Sequence, residues 1–179
     1  YMHDGQNVFD PATGYGGQEW GVDDVIAAMV QGGRLRPAIV VALWNTADRW
    51  REYLPQQAVA GQRSVSTGIG GRVDVTEPWL SDAYLAFLVR EVKPHIDRSF
   101  RTRPEREQTF VMGSSMGGLA SLNAMVAYPD VFGGVAAIST HWPAAGGATI
   151  PWFASRLPDR ATHRVWMDHG TLTLDSLYA

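Results

Sequence analysis

Apolar positions along this chain keep two rhythms that alternate from start to end. Val22, Ile26, Met29 and Val30 recur at helical spacing and predict a helix over 22–31, stopped by Gly32-Gly33. Ala38 to Leu43 is a continuous apolar run, the pattern of a strand buried on both faces of a parallel sheet. Leu80, Tyr84, Leu85, Leu88 and Val92 mark one face of a long helix from Pro78 to about Phe100, which Pro94 is expected to kink or end. Thr109 to Met112 predicts a strand, and the small residues from Gly118 begin a helix to Ala127. A strand over 134–139, a short helix over 151–156 and a strand over 163–168 complete the alternation. Asp4 to Trp20 is a Gly-rich loop. Asn45 to Glu77 is a polar stretch too long for a simple connection, so it is expected to be functional or mobile.

Strands alternating with helices predict a parallel α/β sheet with right-handed crossovers, whose ligands sit at the carboxyl ends of the strands. One domain is expected for 179 residues, and 45% hydrophobic residues can fill a core. A net charge of −3 without runs of Lys or Arg argues against a nucleic-acid partner. No apolar stretch is long enough to span a membrane. Cysteine is absent, which excludes disulfides and thiolate metal ligands. No His or carboxylate spacing suggests a metal site, and Gly68, Gly70 and Gly71 lack the setting of a phosphate loop, so no cofactor is expected. No signal peptide opens the chain, but its start reads as missing, so the compartment is left unassigned with the cytoplasm favoured. The chain opens on what reads as the end of a strand and stops at Leu177-Tyr178-Ala179, in what reads as the start of a helix. Both ends are therefore expected to be truncated.

The predicted strand over Thr109–Met112 runs straight into Gly113-Ser114-Ser115-Met116-Gly117, and a small-residue helix follows. Gly-x-Ser-x-Gly between strand and helix is the pattern of a nucleophile elbow, which makes Ser115 the candidate nucleophile. A serine nucleophile needs a base, an acid to orient that base, and donors for the oxyanion. The Met116 N–H, at the start of the helix, is the first candidate donor. The second is the Gln6 N–H in His3-Asp4-Gly5-Gln6-Asn7, since Gly5 lets the backbone turn inward. On this chain order the acid follows the last strand, so Asp168 and Asp175 are both candidates. The base must be a His after the acid. His169 adjoins Asp168 and points away from it, and no later His exists. His141 and His3 lie near the expected cleft but precede the acid. The aromatic residues Trp20, Trp44, Trp50, Tyr53 and Trp142 are candidates for the walls of an acyl or alcohol pocket, with core packing as the alternative.

Taken as a set, these motifs resemble the esterase family of α/β-hydrolases that includes S-formylglutathione hydrolase (esterase D), enterochelin-esterase-like proteins, feruloyl esterases and the mycolyltransferases. The resemblance rests on Tyr1 to Asp10, Arg51-Glu52-Tyr53-Leu54-Pro55, Gly113 to Gly118, Tyr128-Pro129-Asp130-Val131-Phe132 and Asp168-His169-Gly170-Thr171. It implies an incomplete α/β-hydrolase fold and an acyl-enzyme on Ser115. It also implies an oxyanion hole of the Gln6 and Met116 amides, and a small-molecule carboxylic ester as substrate. It favours Asp175, which precedes Leu177-Tyr178, over Asp168, although two extra residues separate Asp175 from the strand. It places the triad His on a loop after one further strand, beyond this chain. An acyltransferase of the same fold and a non-catalytic binding module are the alternatives.

Overall fold

The computed structural model describes residues 1–74, 76–172 and 175–176. The helical start expected at 177–179 lies outside the described residues. The elements, in order, are α1 (Val22–Gln31), α2 (Arg49–Tyr53), the hairpin β1 (Ser64–Ser66) and β2 (Arg72–Asp74), and α3 (Ser81–Phe87). A π-helical turn (Leu88–Val92) then leads into α4 (Lys93–Ser99). They continue as β3 (Phe110–Ser114), α5 (Met116–Ala127), β4 (Gly134–Ile138), α6 (Thr149–Ala154) and β5 (Arg164–Asp168).

β3, β4 and β5 form a parallel sheet in that order, with Ser114 opposite Ile138 and Ile138 opposite Asp168. The chain start extends this sheet past β3. Met2 makes parallel bridges to both Met112 and Ala42, so it lies between β3 and the segment around Ala42. Its N–H donates to the Val41 carbonyl at 2.9 Å, and its carbonyl accepts from the Leu43 N–H at 2.8 Å. This register puts Ser115, Ser139 and the loop after β5 at one carboxyl edge.

The α/β alternation is legible in the sequence, with two departures. The apolar run Ala38–Leu43 is not a strand buried on both faces. It pairs only where Met2 reaches it, Ile39 is 48% exposed, and only Leu43 of the run is buried. The stretch Asn45–Glu77 is not a bare loop, because it carries α2 and the β1–β2 hairpin.

The long helix expected from Pro78 runs from Ser81 to Ser99 and does not break at Pro94. Proline has no N–H to continue the helical ladder. The preceding turn widens instead, and the Lys93 N–H reaches back five residues to the Leu88 carbonyl. The core lies between this helix, α2 and α5, with Tyr53, Leu54, Leu85, Leu88, Leu119 and Leu122 fully enclosed. Among the described residues no helix is long and apolar enough to cross a membrane.

Candidate active site

β3 passes into α5 through a single residue, Ser115, at φ 57° and ψ −121°. A serine held there costs on the order of 1–3 kcal/mol, so its surroundings must impose the geometry. Its N–H donates to the Ile138 carbonyl at 3.0 Å. Its carbonyl accepts from the Gly118 N–H at 3.0 Å and the His141 N–H at 3.2 Å. The turn is also sterically closed: a β-carbon on Gly113 would stand 2.6 Å from the Gly117 carbonyl oxygen. Every residue from Met116 to Met125 is buried, because α5 is apolar or small on all sides and sits wholly inside the fold.

The loop after Met2 comes up beside this turn. Asp4 adopts the left-handed conformation at φ 56° and ψ 47°, and the Gly5 N–H donates to the Leu43 carbonyl at 2.7 Å. The Asp4 carboxylate meets the Arg49 guanidinium through Nε and Nη2, both at 2.7 Å. The Asn45 amide donates to the same carboxylate, and the Asp4 N–H donates to Tyr53 Oη at 3.1 Å. Burial works against the Arg49 charge, but its hydrogen bond to Asp4 and the Asp4 charge outweigh this and raise its pKa. Among the described residues neither the Gln6 N–H nor the Met116 N–H has a hydrogen-bond partner.

Below this loop His3 is fully buried, with Nδ1 2.7 Å from Tyr84 Oη and Nε2 unpartnered among the described residues. Burial lowers its pKa to about 3, against a smaller opposing pull from Asp4, so the imidazole is neutral at ordinary pH. His3 is a packing residue here and not an accessible base.

The two candidate acids lie on the other flank. Asp175 Oδ2 accepts from Ser139 Oγ and from the Gly170 N–H, each at 2.8 Å. Ser139 directly follows β4 and sits at φ 41°. Since Ser115 bonds to Ile138, the residue before Ser139, Asp175 stands one strand away from Ser115 at the same edge. Asp168 is exposed and accepts from the Ser139 N–H at 3.2 Å and from Trp166 Nε1 at 3.0 Å. Both of its oxygens are thus taken by its own strand and its neighbour.

Of the remaining histidines, His163 bonds to the Pro129 carbonyl at 2.8 Å, His169 is exposed beside the Gly170 carbonyl, and His95 is exposed on α4. His141 is buried near Ser115. Its Nε2–H donates to the Thr67 carbonyl, and Trp50 stacks edge-on against its ring at 6.1 Å between centroids.

The aromatic residues divide. Trp50 and Trp142 lie beside the Ser115 turn, around His141. Tyr53 is not a pocket wall: it is fully buried, and its hydroxyl is committed to Asp4. Trp44 is 63% exposed and does not pack in the core. It lines one of two concavities, of about 540 and 500 Å³, that run along residues 35–44 and are not lined by Ser115. Three contributors to the site carry no sequence motif, namely Arg49, Asn45 and Ser139. The one available signal was that an Asp held in a turn under a buried helix needs a cation.

A family model described as Putative esterase matches residues 1–175. The chain belongs to this family. It is 26% identical over 172 residues to the uncharacterized protein YbbA of Bacillus subtilis (strain 168), covering 96% of this chain and 60% of that protein. Among solved structures it is similar to an IroE-like serine hydrolase from Shewanella oneidensis, with 19% identity and a TM-score of 0.70. That match covers 98% of this chain and 51% of the other. It is also similar to the enterobactin esterase FES from Shigella flexneri, with 20% identity and a TM-score of 0.62, covering 92% and 37%. The fold is therefore an α/β-hydrolase fold, and the chain spans about half the length of the relatives it matches.

Proposed function

We propose that this chain carries the nucleophile, the oxyanion hole and the orienting acid of a serine carboxylic-ester hydrolase acting on a small-molecule ester. Ser115 Oγ gives its proton to a histidine and attacks the ester carbonyl carbon. The resulting oxyanion accepts from the Gln6 and Met116 N–H groups, each worth roughly 3 kcal/mol of barrier. The intermediate collapses, the histidine returns the proton to the departing alcohol, and an acyl-Ser115 ester remains. Water, deprotonated by the same histidine, then releases the acid and restores Ser115. Asp175 orients that histidine through its second oxygen, because Ser139 and Gly170 hold only Oδ2. The positions of His3, His95, His163 and His169, with the His141 Nε2–H given to the Thr67 carbonyl, support a base from outside these 179 residues.

One observation carries the reading. Ser115 is held in a strained turn at the start of a buried helix, beside two backbone donors that lack partners among the described residues. The test is hydrolysis of p-nitrophenyl acetate by the product of the whole open reading frame. Ser115→Ala should lower kcat by on the order of 10⁵ or more. Undiminished turnover by that variant would refute the assignment of Ser115. The 179-residue chain alone should be slower than the whole product by on the order of 10⁴. Robust, Ser115-dependent turnover by the chain alone would instead make an internal histidine the base.

A further inference from the structure

Arg49 and Asp4 are 45 residues apart in sequence, yet they meet fork to fork through both carboxylate oxygens at 2.7 Å. Such a bidentate pair fixes angle as well as distance. Tyr53, one turn after Arg49 on α2, accepts the Asp4 N–H, and the Arg49 guanidinium lies 5.1 Å from its ring centre. One face of α2 therefore grips Asp4 by backbone and side chain together. The opposite side of Asp4 faces the turn after Ser115: its Oδ2 lies 3.2 Å from where a β-carbon on Gly117 would stand. Asp4 also opens the tight turn Gly5–Asn7, accepting the Asn7 N–H on its carbonyl at 2.9 Å while itself held left-handed. A non-glycine residue in that conformation costs about 1–2 kcal/mol, which the clamp must offset.

We propose that Arg49 is a positioning residue for the oxyanion hole: through Asp4 it sets the Gln6 N–H against the Met116 N–H. The inference rests on the reading of Ser115, Gln6 and Met116 given above. An ion pair serving stability alone could sit anywhere along α2. This one holds from α2 the residue that opens the turn bearing the Gln6 donor, and that residue, Asp4, lies against Gly117 in the helix turn that Met116 begins. Loss of the fork leaves Asp4 free to relax toward ordinary backbone angles, which rotates the Gln6 amide that follows Gly5. A shift of about 1 Å at such a donor is enough to cost up to 100-fold in rate.

The experiment compares wild type, Arg49→Lys, Arg49→Met and Ser115→Ala in the product of the whole open reading frame, with active sites titrated by a fluorophosphonate. Arg49→Met should lower kcat per titrated site about 30-fold while KM for p-nitrophenyl acetate stays within about twofold. Arg49→Lys, which keeps the charge but not the fork, should lose about fivefold. Inhibition by a trifluoromethyl ketone, whose serine adduct carries an oxyanion, should weaken in step with kcat/KM. A fall confined to the number of titratable sites, with kcat per site unchanged, would make Arg49 merely structural and overturn the proposal. If Arg49→Met does not fold, the kcat and ketone values of Arg49→Lys decide in the same way. Full turnover by Ser115→Ala overturns the nucleophile reading and this inference with it. An inert Ser115→Ala beside fully active Arg49 variants overturns this inference alone.

Discussion

Every residue from Met116 to Met125 is buried, whereas every residue of β5 is exposed, yet Ser115 and Asp175 stand at the same carboxyl edge of one sheet. On the Ser115 flank, geometry is imposed by packing. Backbone approaches backbone at Gly113, Gly117 lies against Asp4, and a partly buried ion pair holds the loop alongside. On the Asp175 flank, geometry is imposed by two hydrogen bonds from Ser139 and Gly170. The contrast separates what the turn needs from what the acid needs. A strained serine must be enclosed, because nothing else opposes its strain of a few kcal/mol. An orienting carboxylate must keep an oxygen open for its partner, so it can be held only in part.

Outside Ser115 itself, the largest effect should come from the acids, where the two-bond anchor is put to the test. Asp175→Asn should lower kcat/KM by about 10³–10⁴, and Asp168→Asn should change it by no more than a few fold. The reverse order, measured on the whole open-reading-frame product, would transfer the role to Asp168 and leave the Ser139 hydroxyl and the Gly170 amide without a catalytic purpose.

The packed flank should instead set stability in acid. His3 has a pKa near 3 when folded, lowered by burial, against an unfolded value near 6.5. The unfolded chain therefore binds one more proton between those values, and stability falls as pH drops from about 6.5 toward 3. The loss has a ceiling on the order of 5 kcal/mol. Chemical denaturation across that range should show the slope, and His3→Gln should flatten it by up to one proton. An unchanged slope would mean that His3 is not enclosed as described.

A paired glycine substitution sharpens the same contrast at smaller cost. Gly113→Ala places its β-carbon 2.6 Å from backbone and should destabilise by about 3 kcal/mol. Gly170→Ala places its β-carbon 2.7 Å from Asp175 Oδ2, the mobile end of a side chain. It should cost less than about 1 kcal/mol in a thermal melt while lowering kcat, because the carboxylate must move. Equal stability losses would erase the distinction between the flanks.

The sequence disclosed the parts of this site whose chemistry is local. Gly113 to Gly117 read as a turn because strand, glycines, serine and helix are contiguous, and the structure folds them so. The alternation of elements was legible for the same reason. The apolar run 38–43 misled because apolarity reports a preference for burial but not whether a partner strand covers it. Tyr53 misled because an aromatic beside Arg51-Glu52 looks the same whether it lines a cleft or bonds a buried aspartate. Arg49 went unseen because its partner is 45 residues away and no spacing rule links them. Asp175 could be ranked above Asp168 only through the family resemblance; the anchor from Ser139 was not written in any motif.

Ser139 yields the smallest effect and the finest division of the acid's anchor. Its hydroxyl donates one of the two bonds to Asp175 Oδ2, and the Gly170 amide donates the other. Removing one neutral-to-carboxylate bond while its twin remains should cost about 1 kcal/mol of orientation, or roughly fivefold in kcat. Ser139→Ala keeps the β-carbon and the left-handed backbone at φ 41°, so folding should be little changed. Ser139→Thr keeps the hydroxyl and should retain most of the rate. A kcat for Ser139→Ala equal to wild type would assign the anchor to Gly170 alone. A loss beyond about 100-fold would mean that Ser139 also shapes the turn facing Ser115, since its neighbour Ile138 accepts the Ser115 N–H.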